Sequence, residues 1–457
     1  MDFRIVIIKM MKKCLIKFII ISFVLCLFGC RQKEIVEDIP QEDDSLILGD
    51  ERFEEYIPLL KNKRVALFTN QTGIVGDKIY DLNGNEIDKD TISDLVPFGE
   101  DVKGDPVQYG PHILDLLIEK GVDVTCVFSP EHGFRGNSDA GAAIDDSVDE
   151  KTGVPLLSLF DGDSHYPAED DMELFDILLV DMQDIGLRYY TYYISLYYLM
   201  DACAMHNKTV IILDRPNPNG FYVDGPILHK EYASNVGVLP IPVVYGMTWG
   251  ELSQMINHEG WLTAGKDSCD LTIIPCLNYD HQLKTSLILR PSPNIKDMRA
   301  VYLYASTCFF EYSVISVGRG TDHPFEIYGS PYLKDLEGYA YTFTPVSMEG
   351  AKYPQYEDEI CYGKDLRGIP LNEIHSAQID LNYLIDTYNK FHEKYPDISF
   401  FGDPDINGYY WIDYLSGSSS LREMIVEGKS VPEIKASWTQ EIEDFKDLRR
   451  PYLLYPE

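Results

Sequence analysis

Four short stretches of this chain place acids, amides and a guanidinium directly after apolar, β-branched runs. Asn70 and Gln71 follow KRVALFT, Glu131, His132 and Arg135 follow VDVTCVF, Gln183, Asp184 and Arg188 follow FDILLVDM, and Asp214, Arg215 and Asn217 follow TVIIL. Turn and cap chemistry accounts for any one of these sets, since Asn, Asp and Pro favour turns. Four sets at successive strand ends point to a site. Glu131 is the best general acid or nucleophile, because a carboxyl group partly dehydrated at a strand end can have its pKa raised far enough to hold and then donate a proton. An ion pair with Arg135 is the plainer reading. His132 can act as a base or a metal ligand, but no second His stands at an HExxH spacing, and His258-Glu259 runs into Gly260-Trp261-Leu262. A structural hydrogen bond suits His132 better. No metal and no cofactor is expected.

A fifth stretch, ISVGRGTDHPFE at 315–326, ends in a carboxylate. It has neither GxGxxG nor a following Lys-Ser/Thr, so it is not a phosphate cradle. Arg319 reads as a clamp for a substrate carboxylate, which a guanidinium fork suits, and Glu326 as a second catalytic carboxylate. The tyrosines 189, 190, 192, 193, 197 and 198 read mostly as helix packing, with those nearest Arg188, Tyr190 among them, able to stack on sugar faces. A serine nucleophile finds little support, because Gly136-Asn137-Ser138-Asp139-Ala140 misses the last Gly of GxSxG.

The elements that must carry these groups alternate. Strands are expected over 63–69, 122–128, 154–160, 175–182, 209–213 and 271–275. Helices are expected over 113–120 and 190–206, and another starts at Thr248 with Glu251 as its reciprocal cap. This alternation predicts an α/β fold, a Rossmann-like parallel sheet with helices on both faces. Its strand ends would share one edge, where open α/β sheets bind ligands. Pro291-Ser292-Pro293-Asn294 marks a boundary. Beyond it, 296–457 is expected to form a smaller C-terminal α+β domain, with a helix over 382–394, after a catalytic domain over 49–295. Residues 74–108 read as an insertion rich in Asp, Asn and Gly. Asp81 to Asp88 imitates a calcium loop but lacks Gly at its sixth position and Glu at its twelfth, so a solvated loop is the expectation.

Lys+Arg total 39 against 74 Asp+Glu, a formal charge of −35. This argues against a broad nucleic-acid surface; an anionic ligand would need local Arg or Lys. At the N-terminus, Lys9, Lys12, Lys13 and Lys17 precede an apolar run from Phe18 to Phe28 and then Gly29-Cys30. The run is shorter than the roughly 20 apolar residues of a membrane span. Residues 1–29 read as a lipoprotein signal, Cys30 as the lipidated first residue, and 30–48 as an acidic tether. The expected location is the bacterial envelope, on a lipid anchor facing periplasm or surface. Among the other cysteines no CxxC occurs; Cys126 and Cys203 read as buried hydrophobes, and Cys269 and Cys276 could pair in an exported protein.

Six motifs in order, TNQTG at 69–73, SPEHGFRG at 129–136, DMQDIGLRYYTY at 181–192, DRPNP at 214–218, PSPN at 291–294 and GRGTDHPFE at 318–326, resemble the exo-β-N-acetylmuramidases of the NamZ/YbbC type over about residues 50–457. The resemblance implies a Rossmann-like domain with an auxiliary C-terminal domain and release of N-acetylmuramic acid from non-reducing ends of peptidoglycan fragments. It puts catalysis on Glu131, as acid, with Asp184 or Glu326 as partner; the substrate's own N-acetyl group is an alternative nucleophile. Asn70, Gln71, His132, Arg135, Gln183, Arg188, Tyr190, Arg215, Asn217 and Arg319 would bind substrate, with Arg135, Arg188 and Arg319 offered to the lactyl carboxylate. The family often has Gly-Thr-Asn after the Glu matching Glu311, where this chain has Tyr312-Ser313-Val314. The expected partners are muramyl saccharides and, through lipid alone, a membrane; a homodimer is left open. The rival readings are a non-catalytic envelope lipoprotein that binds cell-wall sugars and a cell-wall esterase.

Overall fold

The computed structural model describes residues 45–92, 96–134, 146–159, 166–263 and 268–457. The signal segment, Cys30, most of the acidic tether and Arg135 lie outside these residues. Leu46–Glu457 make one compact unit.

Six apolar runs form its parallel sheet: β1 (Arg64–Phe68), β2 (Asp123–Ser129), β3 (Pro155–Ser158), β4 (Ile177–Val180), β5 (Thr209–Leu213) and β6 (Asp270–Ile274), with the short strand Ser147–Val148 antiparallel at one edge. Their order is β3-β2-β1-β4-β5-β6. The chain thus builds outward from β1 in one direction, then returns to place β4 on β1's other side. Val65 to Phe68 lie opposite Ile177 to Val180 there. This is the doubly wound arrangement, and the β1/β4 junction is its switch point, where a crevice opens outside the strands' carboxyl ends.

Side-chain alternation splits the sheet's two faces. Val65, Leu67, Val127, Leu179 and Ile211 pack on one face with α1 (Phe53–Leu60) and α2 (Ile113–Glu119). Ala66, Phe68, Cys126, Phe128, Leu178, Val180 and Ile212 pack on the other with α3 (Tyr192–His206) and α4 (Trp249–His258). The helix α3 starts at Tyr192, two residues later than its sequence suggests. It is apolar all round because it is buried all round, twelve of its residues being inside. Thr248 caps α4 as expected. Its hydroxyl accepts from Glu251 N at 3.3 Å, while Glu251 Oε2 accepts from Thr248 N at 2.9 Å.

The C-terminal part carries α5 (Met298–Thr307), the antiparallel sheet of β7 (Ile327–Ser330), β8 (Tyr341–Phe343) and β9 (Cys361–Asp365), and α6 (Asn382–Lys394). It is the smaller α+β part that the sequence suggests. Its apolar residues continue the core on the α3 face without a break. Within 74–108 the structure holds a three-stranded antiparallel ribbon, and Asp81 Oδ1 accepts from the backbone N–H of Asn83 and Asn85, both at 2.8 Å. Cys269 and Cys276 are both buried free thiols, not a disulfide. The chain's end is docked: Tyr455 OH donates to Asp214 Oδ2 at 2.6 Å, and Leu454 N to Glu251 Oε1 at 2.8 Å. No described helix is long and apolar enough to cross a membrane.

Arg215, just past β5, ties the layers together. Its guanidinium meets Asp181 Oδ1 and Asp50 Oδ2, each at 2.7 Å, and it also donates to Ile74 O at 3.0 Å. Both carboxylates are fully buried. Burial lifts the Asp50 pKa to about 8 even beside the guanidinium, and removing the cation would leave both buried carboxyl groups without their counter-charge, at a cost of about 3–5 kcal/mol. Arg215→Met should therefore lower the unfolding free energy by that much, as a lower urea midpoint at unchanged m-value read by circular dichroism.

Candidate functional site

The switch point gathers the ends of β1, β2 and β4 around one phenol. Tyr192 opens α3, and its hydroxyl donates to Pro291 O at 2.8 Å. Its ring meets the Tyr190 ring at 4.7 Å and the His132 ring at 6.5 Å. Glu131, Asn70 and Asp184 are its electrostatic neighbours, and burial first of all raises its pKa. Sequence reading assigned Tyr192 to helix packing. Its position at the first turn of the helix that faces three strand ends was the available signal.

Glu131 sits on a strained turn. Pro130 ends the strand run, Gly133 N donates to Pro130 O at 2.9 Å, and the intervening His132 has φ 72°. A non-glycine residue in the left-handed region is uncommon and collects at functional sites. The Glu131 side chain is half-buried, and the Thr191 hydroxyl donates to its Oε2 at 2.5 Å. Thr191, the residue before α3, is a partner that sequence reading did not name. It fixes the carboxyl group of Glu131 against the start of α3.

Asn70, Gln71, Gln183 and Asp184 form the wall. Asn70 Oδ1 accepts from Thr72 N at 2.9 Å and from Thr72 Oγ1 at 2.6 Å. Gln71 Nε2 reaches across to Pro291 O at 3.0 Å, joining β1's end to the PSPN loop. Gln183 Nε2 donates to Pro216 O at 2.9 Å. Asp184 Oδ2 accepts from Gly186 N at 2.8 Å and from the Tyr245 hydroxyl. Burial lifts the Asp184 pKa to about 6, against the pull of those donors. Gly186 has φ 74°, and a Cβ there would lie 2.1 Å from Asn217 Oδ1, so the turn admits only glycine. Three buried atoms of this wall, Asn70 Nδ2, Gln71 Oε1 and Asp184 Oδ1, make no hydrogen bond of good geometry within the chain. Buried polar groups are rarely left so; the nearest groups are Tyr192 beside Asn70 and Trp249 beside Asp184.

Several expected ligand residues prove to be scaffold. Arg188 is fully buried, and its guanidinium serves the carbonyls of Pro226 at 2.8 Å, Ile241 at 2.6 Å and Leu415 at 2.8 Å. It staples three backbone segments and cannot reach a substrate carboxylate. A fork that fits a carboxylate fits converging carbonyls equally well. Arg215 is committed to Asp50 and Asp181, as described above. Asn217 is buried and shapes its own turn, donating to Met247 O at 2.9 Å and accepting from Asn219 N at 2.8 Å.

Arg319 is paired with Glu311, its Nε at 2.7 Å and its Nη2 at 2.6 Å from Oε1, and it lies over the Phe325 ring at 5.0 Å. Phe325 packs on Tyr304 at 4.3 Å, and Tyr304 on Tyr190 at 6.3 Å. The Arg319–Glu311 pair is therefore linked by rings to the Tyr192 group, and Glu311 joins the candidates. Glu326 belongs elsewhere. It is buried beside Asp297, with His323 Nδ1 at 3.4 Å and Arg299 Nε at 3.9 Å, and burial followed by Asp297 lifts its pKa to about 8. Among the described residues no group of three or more His, Cys, Asp or Glu is placed to hold a metal ion.

Comparison with known proteins agrees with this geometry. The models of the N-terminal and C-terminal parts of the exo-β-N-acetylmuramidase NamZ match residues 106–299 and 302–455. The peptidoglycan β-N-acetylmuramidase NamZ of Bacillus subtilis is 31% identical over 416 residues, 88% of this chain and 89% of that protein. The crystal structure of a DUF1343 family protein from Bacteroides fragilis superposes with a TM-score of 0.74 at 44% identity, over 90% of this chain and 99% of that one. A second protein of that family from the same organism gives 0.67 at 25% identity, with the same coverage.

The raised pKa of Asp184 has a consequence for stability. Folding holds a proton on it between its unfolded value of 3.8 and about 6, so its contribution is most favourable below pH 3.8 and is lost as pH rises through about 6. Asp184→Asn should gain stability relative to the parent between pH 4 and pH 7 by about 2–3 kcal/mol. Urea titrations of both proteins across that range provide the test, and a constant difference would contradict the assignment.

Proposed function

The chain belongs to the NamZ family of exo-β-N-acetylmuramidases, and from that premise we propose that Glu131 is its proton donor and Asp184 the paired carboxyl group. The enzyme is an exo-acting glycoside hydrolase that removes β-linked N-acetylmuramic acid from peptidoglycan fragments. Glycoside hydrolysis needs one group to protonate the leaving oxygen and a second to stabilise or attack the anomeric carbon. Glu131 stands at the mouth of the crevice with one oxygen fixed by Thr191. Asp184 stands in its wall with Oδ1 unpaired. The observation that carries this reading is that two carboxyl groups, Glu131 held by Thr191 and the buried Asp184, both neighbour Tyr192 at the switch point. With Arg188 and Arg215 buried in the scaffold, recognition of the lactyl carboxylate falls to Arg135 and to Arg319, the latter already balanced by Glu311.

Replacing Glu131 by Gln keeps shape and removes the transferable proton. Release of N-acetylmuramic acid from a β-linked muramyl disaccharide, whose sugar leaving group needs protonation, should fall at least about 10²-fold with an unchanged thermal melting curve, and para-nitrophenyl β-N-acetylglucosaminide should be a poor substrate for the parent beside the matching muramide. Parent-like turnover by Glu131→Gln would end the assignment.

We also propose that the mature enzyme is carried on the envelope by lipid at Cys30, supported by the basic, apolar and Gly29-Cys30 sequence that precedes the acidic stretch. Labelling cells with an alkyne-bearing fatty acid should mark the parent protein and not Cys30→Ala, which should partition into the soluble fraction.

A further inference from the structure

The described aromatic side chains are nearly all inside, and the two most exposed are mounted at one place. Tyr312 is 70% exposed and Tyr353 is 81% exposed. Tyr312 follows Glu311, the partner of Arg319. Two residues after Tyr353, Gln355 Nε2 donates to Ser313 O at 2.8 Å, and Tyr356 OH donates to Val314 O at 2.9 Å. The segment bearing Tyr353 is thereby bolted to the turn bearing Tyr312. That turn is fixed from its other side as well, by Ser313 N on Phe310 O at 2.9 Å and Val314 N on Phe400 O at 3.0 Å.

Tyr312 has φ 59°. A bulky side chain is strained in this region, and glycine would occupy it freely. The fold gains little from the ring itself, which stands mostly in water. It rests against Trp411, with centroids 4.4 Å apart, and the indole Nε1 of Trp411 is buried without a hydrogen-bond partner. Trp411 continues into Tyr414 at 6.2 Å. An exposed tyrosine fixed against a half-buried tryptophan suits a flat ligand that has an apolar face and a polar rim. The neighbouring segment carries exposed Asp403 and Asp405, which disfavours a phosphate or an anionic membrane.

Resting on the muramidase reading of the Glu131 site, we propose that Tyr312 and Trp411 form a stacking platform for pyranose rings of the glycan chain beyond the bond that is cleaved. The Glu311–Arg319 pair and the rings of Phe325, Tyr304 and Tyr190 connect the platform to the Tyr192 group. The platform makes the enzyme's affinity depend on chain length and leaves the chemistry at a terminal sugar untouched.

The test uses the mature protein and two ligands. Peptide-free glycan strands are long enough to reach the platform; para-nitrophenyl β-N-acetylmuramide is not. Tyr312→Gly fits the turn and should fold with a parent-like melting curve. Both it and Trp411→Ala should weaken strand binding about tenfold in gel-affinity electrophoresis on a Glu131→Gln background, and should raise KM for strands in the active enzyme. The kcat/KM for the chromogenic substrate should stay at the parent level, and Tyr312→Phe should bind strands like the parent. Undiminished strand binding by Tyr312→Gly, or an equal loss on the chromogenic substrate, would overturn the platform. A parent that turns over neither ligand would overturn the muramidase reading, while the binding measurement would still report on the platform.

Discussion

A single guanidinium holds two fully buried carboxyl groups inside this protein. Asp50 comes from the segment before α1, Asp181 from the end of β4, and Arg215 from the end of β5. Isolated carboxylates at such depth would cost several kcal/mol each. With Arg215 between them, three chain segments are fixed in register beneath the crevice. The residues proposed to meet ligand lie within three residues of the end of β1, for Asn70 and Gln71, or of Asp181, for Gln183 and Asp184. Their positions are inherited from that buried triad. The same logic recurs at Asp214, which accepts from the Thr248 hydroxyl at 2.7 Å and from Gly250 N at 2.8 Å and so sets the angle of α4. One edge of the sheet therefore carries two kinds of polar residue, those that hold loops and those left partly unpaired.

This division explains what could be read from the sequence. Apolar β-branched runs ending in polar clusters specify parallel strands almost alone, because a strand buried on both faces admits little else. All six were legible, with ends shifted by at most two residues. The strand order follows from right-handed crossovers once the turn back to β4 is made. The gathering of Glu131 and the ends of β1 and β4 on one edge was likewise legible, since neighbouring strands must bring their loops together.

Side-chain roles were less legible because identical groups serve different needs. Arg188 and Arg319 both follow glycine-bearing loops. One is swallowed by backbone carbonyls and the other balanced by Glu311, and only the tertiary surroundings separate the two cases. Glu326 closes a motif yet answers to Asp297 and His323. Thr191 and Tyr192 were overlooked for a related reason. A helix start in a tyrosine-rich run looks like packing until the strand ends it faces are known.

The docked C-terminus sets a condition on how the molecule comes to exist. Tyr455 and Leu454 complete the hydrogen bonds of Asp214 and Glu251, groups that start α4 roughly two hundred residues earlier in the chain. Without those residues Asp214 keeps Thr248 and Gly250 and Glu251 keeps Thr248, but each loses the hydrogen bonding that the chain's end supplies. Contacts of such sequence separation make folding slow, and they join the C-terminal end of the compact unit to its sheet in one cooperative core.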